Sequence, residues 1–220
     1  VVNCAGRTRS IIGAQSLRDA GFPNPIFALK NGTMGWQIAG FEVEKGKSNI
    51  LPEPQGDGLL LAIERAQDVA IRSRIRFTSL AEVQSFINDA VLTTYLFDVR
   101  QPDAYAHGHI PGSINAPGGQ LVQATDMFAA VRHSRIVLID EHLVQSVMTA
   151  HWLSKMGWDV LVLKDAKHHM TEIGLKSNRV LKQPHSRINS IDVHELQDLM
   201  ELDTCEVIDV GESYWYRQGR

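Results

Sequence analysis

Cysteine is scarce in this sequence. Its 220 residues hold only Cys4 and Cys205. Two thiols so far apart cannot form a disulfide framework, so a free thiol in a reducing, cytoplasmic setting is expected. Long apolar runs are missing too. The segment Gly58-Leu59-Leu60-Leu61-Ala62-Ile63 is far too short to span a bilayer, and no membrane partner is expected. The N-terminus has no basic stretch followed by an apolar core, so no signal peptide is expected. A net charge of −3 gives no basic surplus, which argues against nucleic acid as a partner. The histidine pairs His107-x-His109 and His168-His169 come without a cysteine, so neither a metal site nor a cofactor is expected. What is present is a chain with 44% hydrophobic residues, enough for one or two buried cores.

The densest chemistry lies at Val1-Val2-Asn3-Cys4-Ala5-Gly6-Arg7-Thr8-Arg9-Ser10. The pattern predicts a strand end at Cys4, a tight polar loop, and a helix from about Ser10 to Ala20 with Ser10 as its N-cap. Amides at a helix start lack intrahelical partners and favour negative charge. With Arg7 and Arg9 nearby, the Cys4 thiol should ionise below the value of about 8.5 for a free cysteine. The alternative reading of a lone cysteine is a small buried apolar residue. The glycine, two arginines and serine that follow weigh against it.

Along the chain, Pro23 and Pro25 stop the first helix, and Ile26-Phe27-Ala28-Leu29 reads as a buried strand, completing a βαβ unit. Gly46 to Gly58 reads as linker. Leu60, Ile63, Ala66, Val69 and Ala70 recur at helical spacing within 59–73. Ser79 and Glu82 form a capping-box pattern. Strands are expected at 94–100, 135–140 and 160–163, with a helix at 144–156. Trp36, Trp152 and Trp158 are expected to fill the core, and Cys205 is read as a core strand residue. The three arginines between Arg72 and Arg76 read as a solvated helix end.

Three stretches resemble the rhodanese family of sulfurtransferases. The Cys4 loop resembles the family's active-site loop. The segment Leu29-Lys30-Asn31-Gly32-Thr33-Met34-Gly35-Trp36-Gln37-Ile38-Ala39-Gly40 is similar to the sequence that follows that loop. The segment Asp98-Val99-Arg100, with Tyr105 and then Gly108-His109-Ile110-Pro111-Gly112-Ser113-Ile114-Asn115, resembles the family's most specific motif. The sequence also repeats. Phe77-Thr78-Ser79-Leu80 aligns with Ile188-Asn189-Ser190-Ile191, and the same offset carries Phe97-Asp98-Val99 onto Ile208-Asp209-Val210. At a second constant offset, Cys4, Ser10 and Leu17 align with Asp140, Ser146 and Leu153.

The expected fold class is therefore α/β, with rhodanese-like units in tandem, each a parallel-rich sheet flanked by helices. Residues 1–46 read as the C-terminal half of one unit with the catalytic loop. Residues 47–75 read as linker and helix, 76–183 as a complete unit, and 184–220 as the start of another. Because residues 1–46 read as only half a unit, residues 1–220 by themselves are expected to be inactive in thiosulfate turnover.

The resemblance implies a sulfurtransferase in which Cys4 carries sulfane sulfur as a persulfide. Ala5, Gly6, Arg7, Thr8, Arg9 and Ser10 would form the loop that holds the anion. The implied partners are a small sulfur donor, a thiol or cyanide acceptor, and neighbouring rhodanese units of the same chain or a homo-oligomer. Cysteine phosphatases of a related fold have a longer loop, with five residues between cysteine and arginine. Here four residues separate Cys4 from Arg9. Phosphatase or arsenate-reductase action is the enzymatic alternative. In the complete unit Asp140 stands at the cysteine position and cannot form a persulfide, so Asp140 and Arg100 mark a degenerate site. A non-catalytic binding or scaffold module is the alternative from another class.

Overall fold

The computed structural model describes residues 1–46, 52–175, 189 and 191–208. The repeat positions Ser190, Asp209 and Val210, and the linker residues 47–51, lie outside the described residues. The chain divides into two compact units, Val1–Lys176 and Ser177–Arg220.

The first unit opens with α1 (Thr8–Asp19), α2 (Gly32–Ile38) and α3 (Gly56–Arg72). Next come β1 (Arg76–Thr78), α4 (Leu80–Ile87), β2 (Thr94–Asp98), α5 (Pro102–His107) and β3 (Ile114–Asn115). The unit continues with α6 (Gly118–Gln123), α7 (Thr125–Phe128), β4 (Arg135–Ile139), α8 (Gln145–Lys155) and β5 (Asp159–Leu163). The five strands form one sheet in the order β1-β5-β4-β2-β3, and every pairing is parallel. The register sets Phe97 opposite Leu138 and Leu138 opposite Val162.

A parallel sheet needs cover on both faces, so its central strands carry unbroken apolar runs. β4 does so. Ile136 and Leu138 face a core built with Ala66, Val69, Val147, Ala150 and Leu153 of α3 and α8. Val137 and Ile139 face the other side, with Val83 of α4 and Ile110. Helix α4 starts as its sequence predicts: the Ser79 side chain accepts from the Glu82 amide, and the Glu82 carboxylate accepts from the Ser79 amide.

The opening residues are less regular than a βαβ unit. Only a single parallel bridge, Val2 with Ala28, joins the two apolar stretches predicted as strands. Helix α1 begins at Thr8 rather than Ser10, with Arg7 at the N-cap position and no side-chain cap. Ser10 lies in the first turn, buried, its hydroxyl 2.8 Å from the Arg7 carbonyl and also within reach of the Cys4 thiol, so its one proton serves either acceptor. A serine inside the first turn bonds backward as readily as it caps, which is why the cap expectation fails here.

Other expectations also change. Trp36 is exposed, stacked on Phe41 at 4.6 Å between ring centroids, with its indole N–H on the Glu42 carbonyl. Trp152 and Trp158 do pack against the core. Arg72 is not merely solvated: its guanidinium donates to the Asp19 carbonyl at 2.5 Å. In the second unit, helix α9 (Val193–Glu201) is capped by Asp192 with Glu195, later in the chain than the alignment of Ser190 with Ser79 implies. Asp192 accepts two amides there, so the better-placed acceptor sets the helix start. Cys205 is half-buried and outside any strand.

Candidate active site

The Cys4 loop is held from below by the start of α2. The amides of Thr33 and Met34 donate to the carbonyls of Cys4 and Ala5 at 2.9 and 3.0 Å. Asn3 Nδ2 donates to Thr33 Oγ1 at 3.0 Å. Between loop and helix lies Gly32, at φ +59°. A Cβ on Gly32 would run into the carbonyl oxygens of Cys4 and Gly6. Both its backbone angle and the lack of space therefore require glycine.

Cys4 itself is half-buried. Its thiol pKa is lowered from the ordinary value, first by a hydrogen bond from the Ser10 side chain, against the opposing effect of desolvation. The amides of Ser10 and Gly6 and the charge of Arg9 lower it further. Of the predicted loop residues, Gly6, Arg9 and Ser10 thus act on the sulfur. Ala5, Arg7 and Thr8 are exposed, and the Ala5 and Arg7 carbonyls accept from the Met34 and Ile11 amides. Arg9 also lines a cleft of about 290 Å³ with Ile12, Gln101, Gln145, Met148 and Trp152, so its wall is shared with the residues around the sheet.

The second candidate loop follows β4. Asp140 is buried, and its carboxylate is fully engaged. Oδ2 accepts from the amides of Val144 and Gln145 at 3.0 and 2.9 Å, and Oδ1 from the Ser146 hydroxyl at 2.5 Å. The aspartate fills its own anion cradle. The turn that aims those amides inward passes through Leu143 at φ 60°, a left-handed angle that side chains other than glycine rarely adopt. Arg7, which aligns with Leu143 in the repeat, has φ −127°, so the two loops turn differently.

Arg100 closes the end of β2. Its guanidinium bonds both Asp98 oxygens, with Nη2 to Oδ2 at 2.6 Å, and reaches Glu141 Oε1 at 2.8 Å and the Gly108 carbonyl at 2.6 Å. Desolvation works to lower its pKa, but the hydrogen bond and charge of Asp98, then those of Glu141, outweigh it and raise the value. These interactions occupy the arginine structurally. His109 is buried, stacked on Tyr105 at 3.8 Å between ring centroids, with Nδ1 3.0 Å from the Tyr105 carbonyl. No helix among the described residues is long and apolar enough to cross a membrane.

The five-stranded parallel sheet, with both candidate loops at helix starts and an acid–arginine pair at the end of β2, can be compared with known proteins. The rhodanese-like domain family matches residues 79–166. Residues 79–166 are a rhodanese-like domain. A solved thiosulfate sulfurtransferase from Pseudomonas aeruginosa is 45% identical, with a TM-score of 0.77 over 90% of this chain. This chain spans 38% of that protein's length. A rhodanese-related protein from Thermoplasma volcanium is 20% identical, covers 46% of this chain and 99% of its own, and gives a TM-score of 0.36. The reduced CoADR-RHD of Bacillus anthracis is 18% identical, covers 55% and 21%, and gives 0.41. Curated proteins gave no match. The rhodanese-like domain contains Asp140 and Arg100, whereas Cys4 lies outside the matched residues.

Proposed function

We propose that this chain carries a sulfurtransferase centre at Cys4, moving sulfane sulfur from a donor such as thiosulfate to a thiol or cyanide acceptor. The observation that carries the reading is the Cys4 loop itself: a half-buried thiol just ahead of α1, its carbonyl and that of Ala5 braced by the Thr33 and Met34 amides, with Ser10, Gly6 and Arg9 placed to lower the thiol pKa. A thiolate attacks the outer sulfur of the donor, the donor's S–S bond breaks, and sulfite leaves with the electron pair. The enzyme keeps Cys4–S–S⁻. The acceptor thiolate or cyanide then attacks the outer sulfur and returns Cys4 as thiolate, giving two displacements and ping-pong kinetics. The likeness to the Pseudomonas aeruginosa thiosulfate sulfurtransferase supports the same chemistry.

Residues 1–46 act in this reading as half of a further rhodanese-like unit in tandem with the matched domain. The rhodanese-like domain at 79–166 is catalytically silent, because a carboxylate already occupies its cradle. Incubation with thiosulfate followed by peptide mass spectrometry tests the assignment: a sulfur adduct is expected on Cys4 and none on Cys205.

A further inference from the structure

One polar chain links three helices of the first unit. His151, in α8 and buried, is held at both ring nitrogens. Nε2 lies 2.8 Å from Asp19 Oδ2 at the end of α1. Nδ1 lies 2.6 Å from Ser73 Oγ, just past the end of α3. Asp19 is fixed in turn: Gln15 Nε2 donates to its Oδ1 at 2.9 Å, and Lys155 Nζ stands 3.6 Å from Oδ2.

The protons follow from this arrangement. Desolvation works to raise the Asp19 pKa, but Gln15, then His151 and Lys155, outweigh it and lower the value, so Asp19 is ionised. An ionised carboxylate only accepts, so Nε2 carries the ring proton. Nδ1 then presents its lone pair to the Ser73 hydroxyl. Nucleophile, base and orienting carboxylate thus stand in hydrogen-bonded sequence, each from a different helix.

A polar staple between helices would need nothing more. This chain, however, borders a cleft of about 430 Å³, also lined by Val69, Arg72, Ser154 and Lys155. Ser73 is half-exposed, and the Lys155 side chain is 54% exposed. Arg72 and Lys155 bring two cations to the wall of the same cleft. The imidazole is not a feature of the repeat, since the residue aligned with His151 is Gln15.

We propose that Ser73 is an activated nucleophile that takes an acyl group from small anionic esters. Ser73 Oγ attacks the ester carbonyl carbon while its proton passes to His151 Nδ1. The ester C–O bond then breaks, and the departing alkoxide recovers that proton. Water, activated by the same imidazole, releases the acyl group as a carboxylate. Arg72 and Lys155 attract the anionic substituent. Ser73 and His151 are the catalytic residues, and Asp19 is the positioning residue.

The test treats the full chain with an alkyl fluorophosphonate and maps adducts by peptide mass spectrometry, alongside p-nitrophenolate release from the p-nitrophenyl monoester of glutaric acid. One adduct on Ser73 is expected. Ser73→Ala and His151→Gln are expected to slow release on the order of a hundredfold, the contribution of a general base. Asp19→Asn is expected to move the pH–rate profile, which a purely structural contact would not do. Ser73→Ala removes a single hydroxyl, and circular dichroism confirms its fold. A folded protein with no Ser73 adduct, or release unchanged in folded Ser73→Ala, overturns the proposal.

Discussion

The Ser146 hydroxyl donates to Asp140 Oδ1 at 2.5 Å, and at the aligned position earlier in the chain the Ser10 hydroxyl is the strongest influence on the Cys4 thiol. In both loops a serine in the first turn of a helix faces an anionic group at the loop's start. In one the acceptor is a built-in carboxylate. In the other it is a thiolate able to acquire a sulfur atom.

Removing the serine hydroxyl should therefore act on thiol ionisation. Ser10→Ala is expected to shift the pH profile of Cys4 alkylation by iodoacetamide to higher pH. The folded thiol's pKa lies below the unfolded one, so the thiolate's contacts stabilise the fold above the ordinary thiol pKa. That contribution fades as pH falls through the lowered value. An alkylation profile identical to that of the parent protein would show that Ser10 plays no such part.

Gly32 is the support beneath the Cys4 loop. In Gly32→Ala the new methyl group displaces the carbonyls of Cys4 and Gly6, and the residue is forced to keep a positive φ. Cys4 alkylation at neutral pH is expected to slow at least severalfold, while the sheet of the rhodanese-like domain keeps its far-UV circular dichroism. Wild-type reactivity in this variant would mean that the loop does not depend on α2.

Asp140 serves stability in this account. Asp140→Ala strands two amides and a buried hydroxyl, and it is expected to cost about 1–3 kcal/mol in urea unfolding. The Cys4 alkylation rate should not change. A stability equal to that of the parent protein would contradict the filled-cradle description.

Arg100 and Asp98 form a buried pair whose halves depend on each other. Arg100→Met leaves a fully buried carboxylate without its partner and is expected to cost about 3–5 kcal/mol. Adding Asp98→Asn should recover part of that loss, and a double-mutant cycle on denaturation midpoints measures the coupling. Simple additivity of the two single changes would argue against the pair.

Much of the rhodanese-like domain was legible because its signals are local. The apolar run of β4 specifies a strand covered on both faces, and Ser79 with Glu82 specifies a helix start. The motif marked Asp98 and Arg100, but that the two bond each other is visible only in the structure. What escaped was tertiary. The link from Asp19 through His151 to Ser73 joins residues 132 and 78 positions apart, and no periodicity announces it. Ser10 reads as a cap in sequence yet sits inside the first turn, because composition alone does not separate a capping serine from a first-turn serine that faces a thiol. Trp36 looked like core in sequence, but a short helix leaves it on the surface beside Phe41.

The most direct measurement is the intact mass of the chain after brief exposure to thiosulfate, followed by peptide mapping. The account requires a gain of roughly 32 Da, one sulfur atom, located on Cys4 and discharged by cyanide. A folded protein whose Cys4 peptide keeps its unmodified mass at saturating donor would contradict it.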